Sequence, residues 1–197
     1  MIININNLTF IQLIKQRKAG MKIIKKYKVF SGDFSNFFIT EFEDKNGKLQ
    51  KWEYLERSKD TRAVVINAYH KDRIILVKQF RYPINMYSIE YPAGLIDKGE
   101  TPESTAVREL LEETGYDGIV TRVSPPLCTS AGITGEIVYL IDMNITSEKK
   151  HQMLDESEEI EVLEFSRDNI KTELPEYLKA HPDCSLDSKV WAAYFEK

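Results

Sequence analysis

The chain has 197 residues with 27 Lys and Arg against 31 Asp and Glu, a net charge of −4, so it can bury one ordinary core and lacks the positive field that attracts nucleic acid polymers. Hydrophobic residues make up 42% and charged residues 29%, as in soluble globular chains, and no window approaches the roughly 20 apolar residues that span a bilayer. Cys128 and Cys184 have no C-x-x-C or His/Cys spacing, which argues against a disulfide framework or a thiolate zinc site and fits a reducing compartment.

Residues 1–21 are read as an extension preceding the ordered protein. The first 28 residues contain no acid and carry Lys15, Arg17, Lys18, Lys22, Lys25, Lys26 and Lys28. That raises the question of an organellar presequence, but the stretch is not Arg-rich and Ser-rich as such presequences are. A cytoplasmic location is expected.

From Lys22 the segments KIIKKYKVF, FFITEFE and LQKWEYLER are rich in β-branched and aromatic residues, and the turn-like Asp44–Gly47 joins the last two. They predict an antiparallel amino-terminal sheet over residues 22–58. AVVINAYH and DRIILVKQF, separated by Lys71, Asp72 and Arg73, are apolar enough for central strands. A helix is predicted over Pro102–Thr114, with Thr101 as its cap, Pro102 at its first position and Gly115 just past its end. EIVYLIDMNI and EIEVLEF read as strands. DNIKTELPEYLKA reads as a helix interrupted by Pro175, and SKVWAAYFEK as a final helix.

The richest stretch is Gly94 to Tyr116. On the capped helix Glu109, Glu112 and Glu113 stand at i, i+3 and i+4, so three carboxylates share about one turn. At separations of about 6 Å and an effective dielectric of about 20, each pair costs roughly 3 kcal/mol, and far less on a fully solvated face. A divalent cation would remove that repulsion, because hard cations prefer oxygen ligands. Taken alone, the cluster also fits a solvated acidic face.

The surrounding residues decide between these. Gly94, Glu100, Arg108, Glu109, Glu112, Glu113 and Gly115 fall at G-x5-E-x7-R-E-U-x-E-E-x-G-U with Leu110 at the first apolar position. Seven fixed matches at usual residue frequencies have a chance probability below about one in ten million. This resembles the Nudix box, and Tyr116 at its last apolar position is similar to the ADP-sugar branch. The resemblance implies an α/β fold, a Nudix-type α/β/α sandwich with a central mixed sheet over residues 59–197, beside the amino-terminal sheet.

It also implies a magnesium-dependent hydrolase, with manganese able to substitute, whose metal set would be Glu109, Glu112, Glu113 and Ala93. Glu158, Glu112 and Arg108 are the candidate catalytic residues, Arg108 as the one that orients a neighbouring carboxylate such as Glu112 through its planar fork. Glu100 is expected to brace the loop before the helix, and Gly94 to permit an approach that a side chain would block.

Outside the box, Glu90-Tyr91-Pro92-Ala93-Gly94-Leu95-Ile96-Asp97-Lys98-Gly99-Glu100 resembles the E-x-P-A-G-x-I-D-x-G-E of ADP-ribose and ADP-sugar pyrophosphatases, and Lys78-Gln79-Phe80-Arg81 resembles a strand end of the same branch. The resemblance covers roughly Gly32 to the carboxyl terminus. It implies a homodimer that exchanges its amino-terminal sheets, a small nucleotide substrate, and neither a nucleic acid polymer nor a membrane as partner.

Trp52, Glu53 and Arg57 match the branch's W-E-x-x-x-R, and Phe34 stands where another aromatic is expected. Trp52 and Phe34 are candidates for stacking on adenine, against the alternative that Trp52 is core. Arg57 and Arg81 are candidates for phosphate contacts.

The water-activating glutamate of related enzymes lies in a loop beyond the box. Glu158, in the acidic run Asp155–Glu159, is favoured over Glu136. One departure bears on substrate, since Ser130-Ala131-Gly132 stands where the branch commonly has S-P-G; Gly132 of that loop is a further candidate substrate contact. Other nucleotide sugars, dinucleoside polyphosphates and a non-catalytic nucleotide-binding module are the competing readings.

Overall fold

A computed structural model of the chain describes residues 22–57, 62–154, 156 and 158–195. The expected extension at residues 1–21 lies outside them. The chain divides into two compact units, one holding the amino-terminal strands together with Gly132–Thr134, the other holding the rest.

The first unit is an antiparallel sheet in the order β1 (Lys22–Ser31), β2 (Ser35–Glu43), β3 (Leu49–Arg57). Its second connection is the predicted turn. Gly47 has φ 77 and donates its N–H to the Asp44 carbonyl at 2.9 Å, while Asp44 Oδ1 accepts from the Asn46 and Lys48 N–H groups, the local pairing that makes Asp and Gly turn residues.

The second unit is built on a nine-stranded mixed sheet. Its centre is β4 (Arg62–His70) and β5 (Arg73–Arg81), followed by β6 (Met86–Glu90) and β7 (Ala93–Leu95). Then come α1 (Pro102–Thr114), β8 (Gly118–Val123), β9 (Leu127–Cys128), β10 (Ile137–Ile145), β11 (Ile160–Ser166), α2 (Ile170–Ala180), β12 (Cys184–Leu186) and α3 (Ser188–Tyr194). The path runs β12-β6-β5-β4-β10-β8, with β11 on β5, β7 on β4 and β9 on β10. Pairs β10/β4 and β12/β6 are parallel.

Because strand side chains alternate between faces, β4 serves two cores. Val64, Ile66 and Ala68 pack with Ala106 and Leu110 of α1, whereas Val65 packs on the other face with Ile170, Leu174 and Val190 of α2 and α3. Helices therefore cover both faces of the sheet, as the resemblance implied. A strand buried on both sides reads as a continuous apolar run, which is why this pair was legible.

Helix α1 has the predicted bounds and caps. Thr101 Oγ1 accepts from Ser104 N–H at 3.2 Å, Ser104 Oγ accepts from Thr101 N–H at 3.0 Å, and Gly115 closes the helix at φ 76. One expectation needs correction, since Pro175 does not interrupt α2, which runs unbroken through it. Pro175 is exposed while Ile170 and Leu174 are buried, so the missing N–H falls on the solvent side and packing holds the helix together.

Candidate active site

The inward stripe of α1 is Ala106, Leu110, Glu113 and Thr114, all buried, at the spacing of one helix face. Glu113 therefore occupies a position where an apolar residue would normally stand, and its exposure is 6%. Burial pushes its carboxyl up to about 8, the Ala93 N–H opposes the shift, and the charges of Glu109, Glu158 and Glu90 add to it. That N–H donates to Glu113 Oε2 at 2.9 Å, which places Ala93 of β7 directly against the buried acid.

Glu109 lies beside β7 as well. A Cβ on Gly94 would stand 1.9 Å from the Glu109 Cδ, so the missing side chain is what admits this carboxylate. Burial pushes the Glu109 carboxyl up even though Arg108 pulls it down, and Glu112 and Glu158 add to the rise. We expect Gly94→Ala to leave the fold within about 1 kcal/mol, because the obstructed atom is the far end of a flexible side chain, yet to weaken divalent-cation binding and turnover tenfold or more by displacing the ligand. Thermal melting and a metal titration of the variant measure the two effects separately.

Arg108 holds the cluster's outer side with five hydrogen bonds. Its Nε and Nη2 grip Glu100 at 3.0 Å each, Nη1 reaches Glu109 Oε1 at 2.8 Å and Glu112 Oε2 at 2.9 Å, and Nη2 also donates to the Leu95 carbonyl at 3.2 Å. The predicted pairing with Glu112 is present, and the contacts with Glu100 and Glu109 go beyond it. All five of its N–H donors are thus taken up by protein acceptors, an arrangement suited to holding these carboxylates in place.

Glu100 also accepts from the Asp97 N–H and the Thr105 hydroxyl, bracing the loop as expected. The Arg108 guanidinium, with those two donors, holds its carboxyl down at about 2.

As the side chains stand, no three acid, imidazole or thiol groups among the described residues converge closely enough to hold a metal ion. One oxygen of each carboxylate is already engaged, Glu109 Oε1 and Glu112 Oε2 by Arg108 and Glu113 Oε2 by Ala93. Glu109 Oε2, Glu112 Oε1 and Glu113 Oε1 accept no hydrogen bond among the described residues. Three uncommitted oxygens on adjacent turns, two of them on carboxyls raised by burial, form a donor set that suits a hard divalent cation.

Other candidates fall into two groups. Glu158 is exposed, yet its charge acts on both Glu109 and Glu113. Arg81 Nε is paired with Glu90 Oε1 at 2.7 Å, a buried acid whose charge also raises Glu113. The sequence run containing Glu90 was recognisable, but no role for Glu90 was.

Phe34, Trp52, Glu53, Arg57 and Gly132 belong to the sheet unit. Trp52 is 52% exposed, so it is not core, and its indole N–H donates to the Gly132 carbonyl at 2.9 Å. The β2/β3 register is regular from Ser35↔Arg57 to Glu43↔Leu49, so Trp52 and the pair Glu53 and Arg57 leave β3 on opposite faces. Phe34, in the β1–β2 turn, is 84% exposed.

A cavity of about 700 Å³ on the α3 side of the second unit has Asn67, Tyr69, Tyr91, Asp142, Arg167 and Tyr194 among its lining. None of the box residues lines it. Its polar groups bond one another, Tyr194 hydroxyl to Asn67 Oδ1 at 2.9 Å and Asn67 Nδ2 to the Tyr69 hydroxyl at 2.7 Å.

The NUDIX domain profile matches residues 58–184, more than half of the chain. The chain belongs to the NUDIX family. An ADP-sugar pyrophosphatase from Mus musculus is 32% identical over 192 residues, covering 90% of this NUDIX chain and 88% of its own. An ADP-ribose pyrophosphatase from Bacillus subtilis (strain 168) is 38% identical over 148 residues, covering 74% and 78% respectively.

The crystal structure of an ADP compounds hydrolase superposes with a TM-score of 0.67 at 20% identity, over 81% of this chain and 95% of that one, a likeness of fold. No helix among the described residues of this NUDIX protein is long and apolar enough to cross a membrane.

Proposed function

We propose that this NUDIX hydrolase cleaves the diphosphate bridge of ADP-ribose, and of other ADP-sugars, to AMP and a sugar phosphate, ribose 5-phosphate in the first case. The observation that carries the reading is the pair of carboxyls Glu113, buried, and Glu109, partly buried, each raised and each keeping one oxygen uncommitted. The two relatives named for ADP-ribose and ADP-sugars supply the substrate class.

In this reading Glu109, Glu112, Glu113 and the backbone of Ala93 hold magnesium, with manganese able to substitute. When bound, the cation neutralises charge on the phosphoryl oxygens. Glu158 takes a proton from water as the water oxygen bonds to phosphorus and the bridging P–O bond breaks. Arg108 keeps Glu109 and Glu112 in place, and Arg81, anchored by Glu90, offers its remaining donors to a phosphate.

The three-stranded sheet serves as a dimerisation and base-stacking element exchanged between two copies. It exposes Ile23 (70%), Phe30 (66%), Phe34 (84%) and Trp52 (52%), and a small sheet with so many bare apolar side chains is marginal alone. Phe34 and Trp52 stack on adenine beside Gly132, while Glu53 and Arg57, on the opposite face of β3, make polar contacts to the substrate of the other copy.

The test is a substrate panel with magnesium. ADP-ribose is expected to yield AMP and ribose 5-phosphate, and Trp52→Ala to raise KM about 5- to 160-fold through lost base stacking of about 1–3 kcal/mol. Turnover of GDP-mannose or a dinucleoside polyphosphate with ADP-ribose untouched would overturn the substrate. Ala131, where the branch has proline, is the feature that favours that second reading. Sedimentation tests the dimer, and a fully active monomer would remove the exchanged sheet.

A further inference from the structure

Beyond β10 the chain runs back across the carboxyl end of α1. There the helix's last carbonyls have no partner within the helix. Lys150 N–H donates to the Gly115 carbonyl and Met153 N–H to the Glu112 carbonyl, both at 2.8 Å. A side chain on Gly115 would meet the Lys150 carbonyl oxygen at 2.2 Å, so this crossing is close.

Between those two backbone contacts, the carboxamide of Gln152 bridges two elements. Its Nε2 donates to the Glu113 carbonyl at 2.6 Å and to the Ile160 carbonyl at 3.0 Å. Glu113 is the buried acid of the box. Ile160 is the first residue of β11, is buried, pairs with Gln79 of β5 and follows Glu158 by two positions.

We infer that Gln152 is a positioning residue for hydrolysis, one amide that ties the turn of α1 carrying Glu112 and Glu113 to the strand entry carrying Glu158. The inference rests on the reading of Glu158 as the group that activates water. Both anchor points are backbone carbonyls, so the tie fixes main chain and leaves the carboxylates themselves unencumbered. A two-pronged donor is needed for that, and neither a hydrocarbon of the same shape nor a single N–H supplies it.

Misplacing a reacting group by about 1 Å can cost up to a hundredfold in rate. That sets the scale of the expected effect, and it falls on kcat.

The experiment is a double-variant cycle on the full chain with ADP-ribose and magnesium. Gln152→Leu removes the donors, with Gln152→Met as a second, more adaptable replacement should the first fail to fold; a thermal melt establishes which variant is used. Gln152→Leu is expected to lower kcat about 10- to 100-fold, with KM and the magnesium concentration for half-maximal rate changed less than about threefold.

Glu158→Gln alone is expected to lower kcat much further, and adding Gln152→Leu to it should cost less than about threefold more, because Gln152 acts through Glu158. An equal loss from Gln152→Leu in both backgrounds, or a loss that appears in the magnesium requirement, overturns the inference and leaves Glu158 standing. A Glu158→Gln variant with the parent rate overturns the reading of Glu158, and the inference with it.

Discussion

Replacing Glu113 by glutamine is expected to lower kcat by on the order of a thousandfold, about 4 kcal/mol of transition-state stabilisation, while making the metal-free protein more stable in alkaline solution. The two effects have one origin, a carboxyl on the inward stripe of α1 that burial pushes up to about 8. A folded-state value above the ordinary 4.5 means that the fold binds this proton more tightly than the unfolded chain does. The stability so contributed is complete below about 4.5 and is lost as pH rises through about 8.

Glutamine has the same shape, cannot ionise, and can still accept the Ala93 N–H. Thermal melts in a chelator between pH 6 and pH 9 should therefore fall for the parent protein and stay flatter for Glu113→Gln. Magnesium should restore the parent at high pH and do little for the variant. Parallel melting curves for the two proteins would show that Glu113 is not the group that ionises, and the buried-acid account of cation binding would fail.

Arg108→Met is the second large effect. The variant leaves Glu100, Glu109 and Glu112 without the cation that grips all three. Removing one member of a buried ion pair costs about 3–5 kcal/mol. These carboxylates are partly solvated, with side-chain exposures of 24%, 13% and 36%, so a loss of about 2–4 kcal/mol is expected, a fall in Tm of roughly 5–15 °C for a chain of this size.

The pH dependence has the opposite sign to that of Glu113. Glu100 is held down at about 2, so the stability it gains from Arg108 is present above its ordinary value of 4.5 and disappears as pH falls toward 2. The gap in Tm between parent and variant should be widest near neutrality and narrow in acid. Turnover should fall at least a hundredfold, because Glu109 and Glu112 lose their positioning. A variant that melts with the parent at pH 7 would mean that the five-bond arrangement contributes nothing to the fold.

Much of this architecture was readable because it is local. Thr101, Pro102 and Gly115 bound α1 by capping chemistry confined to a few residues, and Asp44 and Gly47 close the β2–β3 turn in the same way. The box spacing located the acids, and Gly94 could be assigned a close approach before its neighbour was known. Which carboxylate is buried was not legible, because the inward direction of α1 is set by Val64, Ile66 and Ile141 on strands distant in sequence.

Short strands were missed for a related reason. Ala93–Leu95 has no β-branched pattern of its own and is a strand because it pairs with β4. Gln152 carries no sequence signal at all, since its partners are backbone carbonyls of residues 113 and 160. Pro175 lies inside α2 yet does not break it, because its missing N–H falls on the solvent side, a direction set by packing on residues distant in sequence.

The parallel pairing of β10 with β4 governs how the molecule is made. Arg62 meets Ile137, so β4, which pairs on one edge with β5 and β7, acquires its partner on the other edge only after the ribosome has completed the whole stretch that contains α1. Long-range parallel partners of this kind slow folding, since a large loop must be closed before the contact forms. Until then a nascent chain exposes Val64, Val65 and Ile66 along an unpaired edge, the kind of surface that recruits other chains. Translational arrest within this interval is the stage at which aggregation or chaperone capture should concentrate, and it should subside once Ile145 has cleared the exit tunnel.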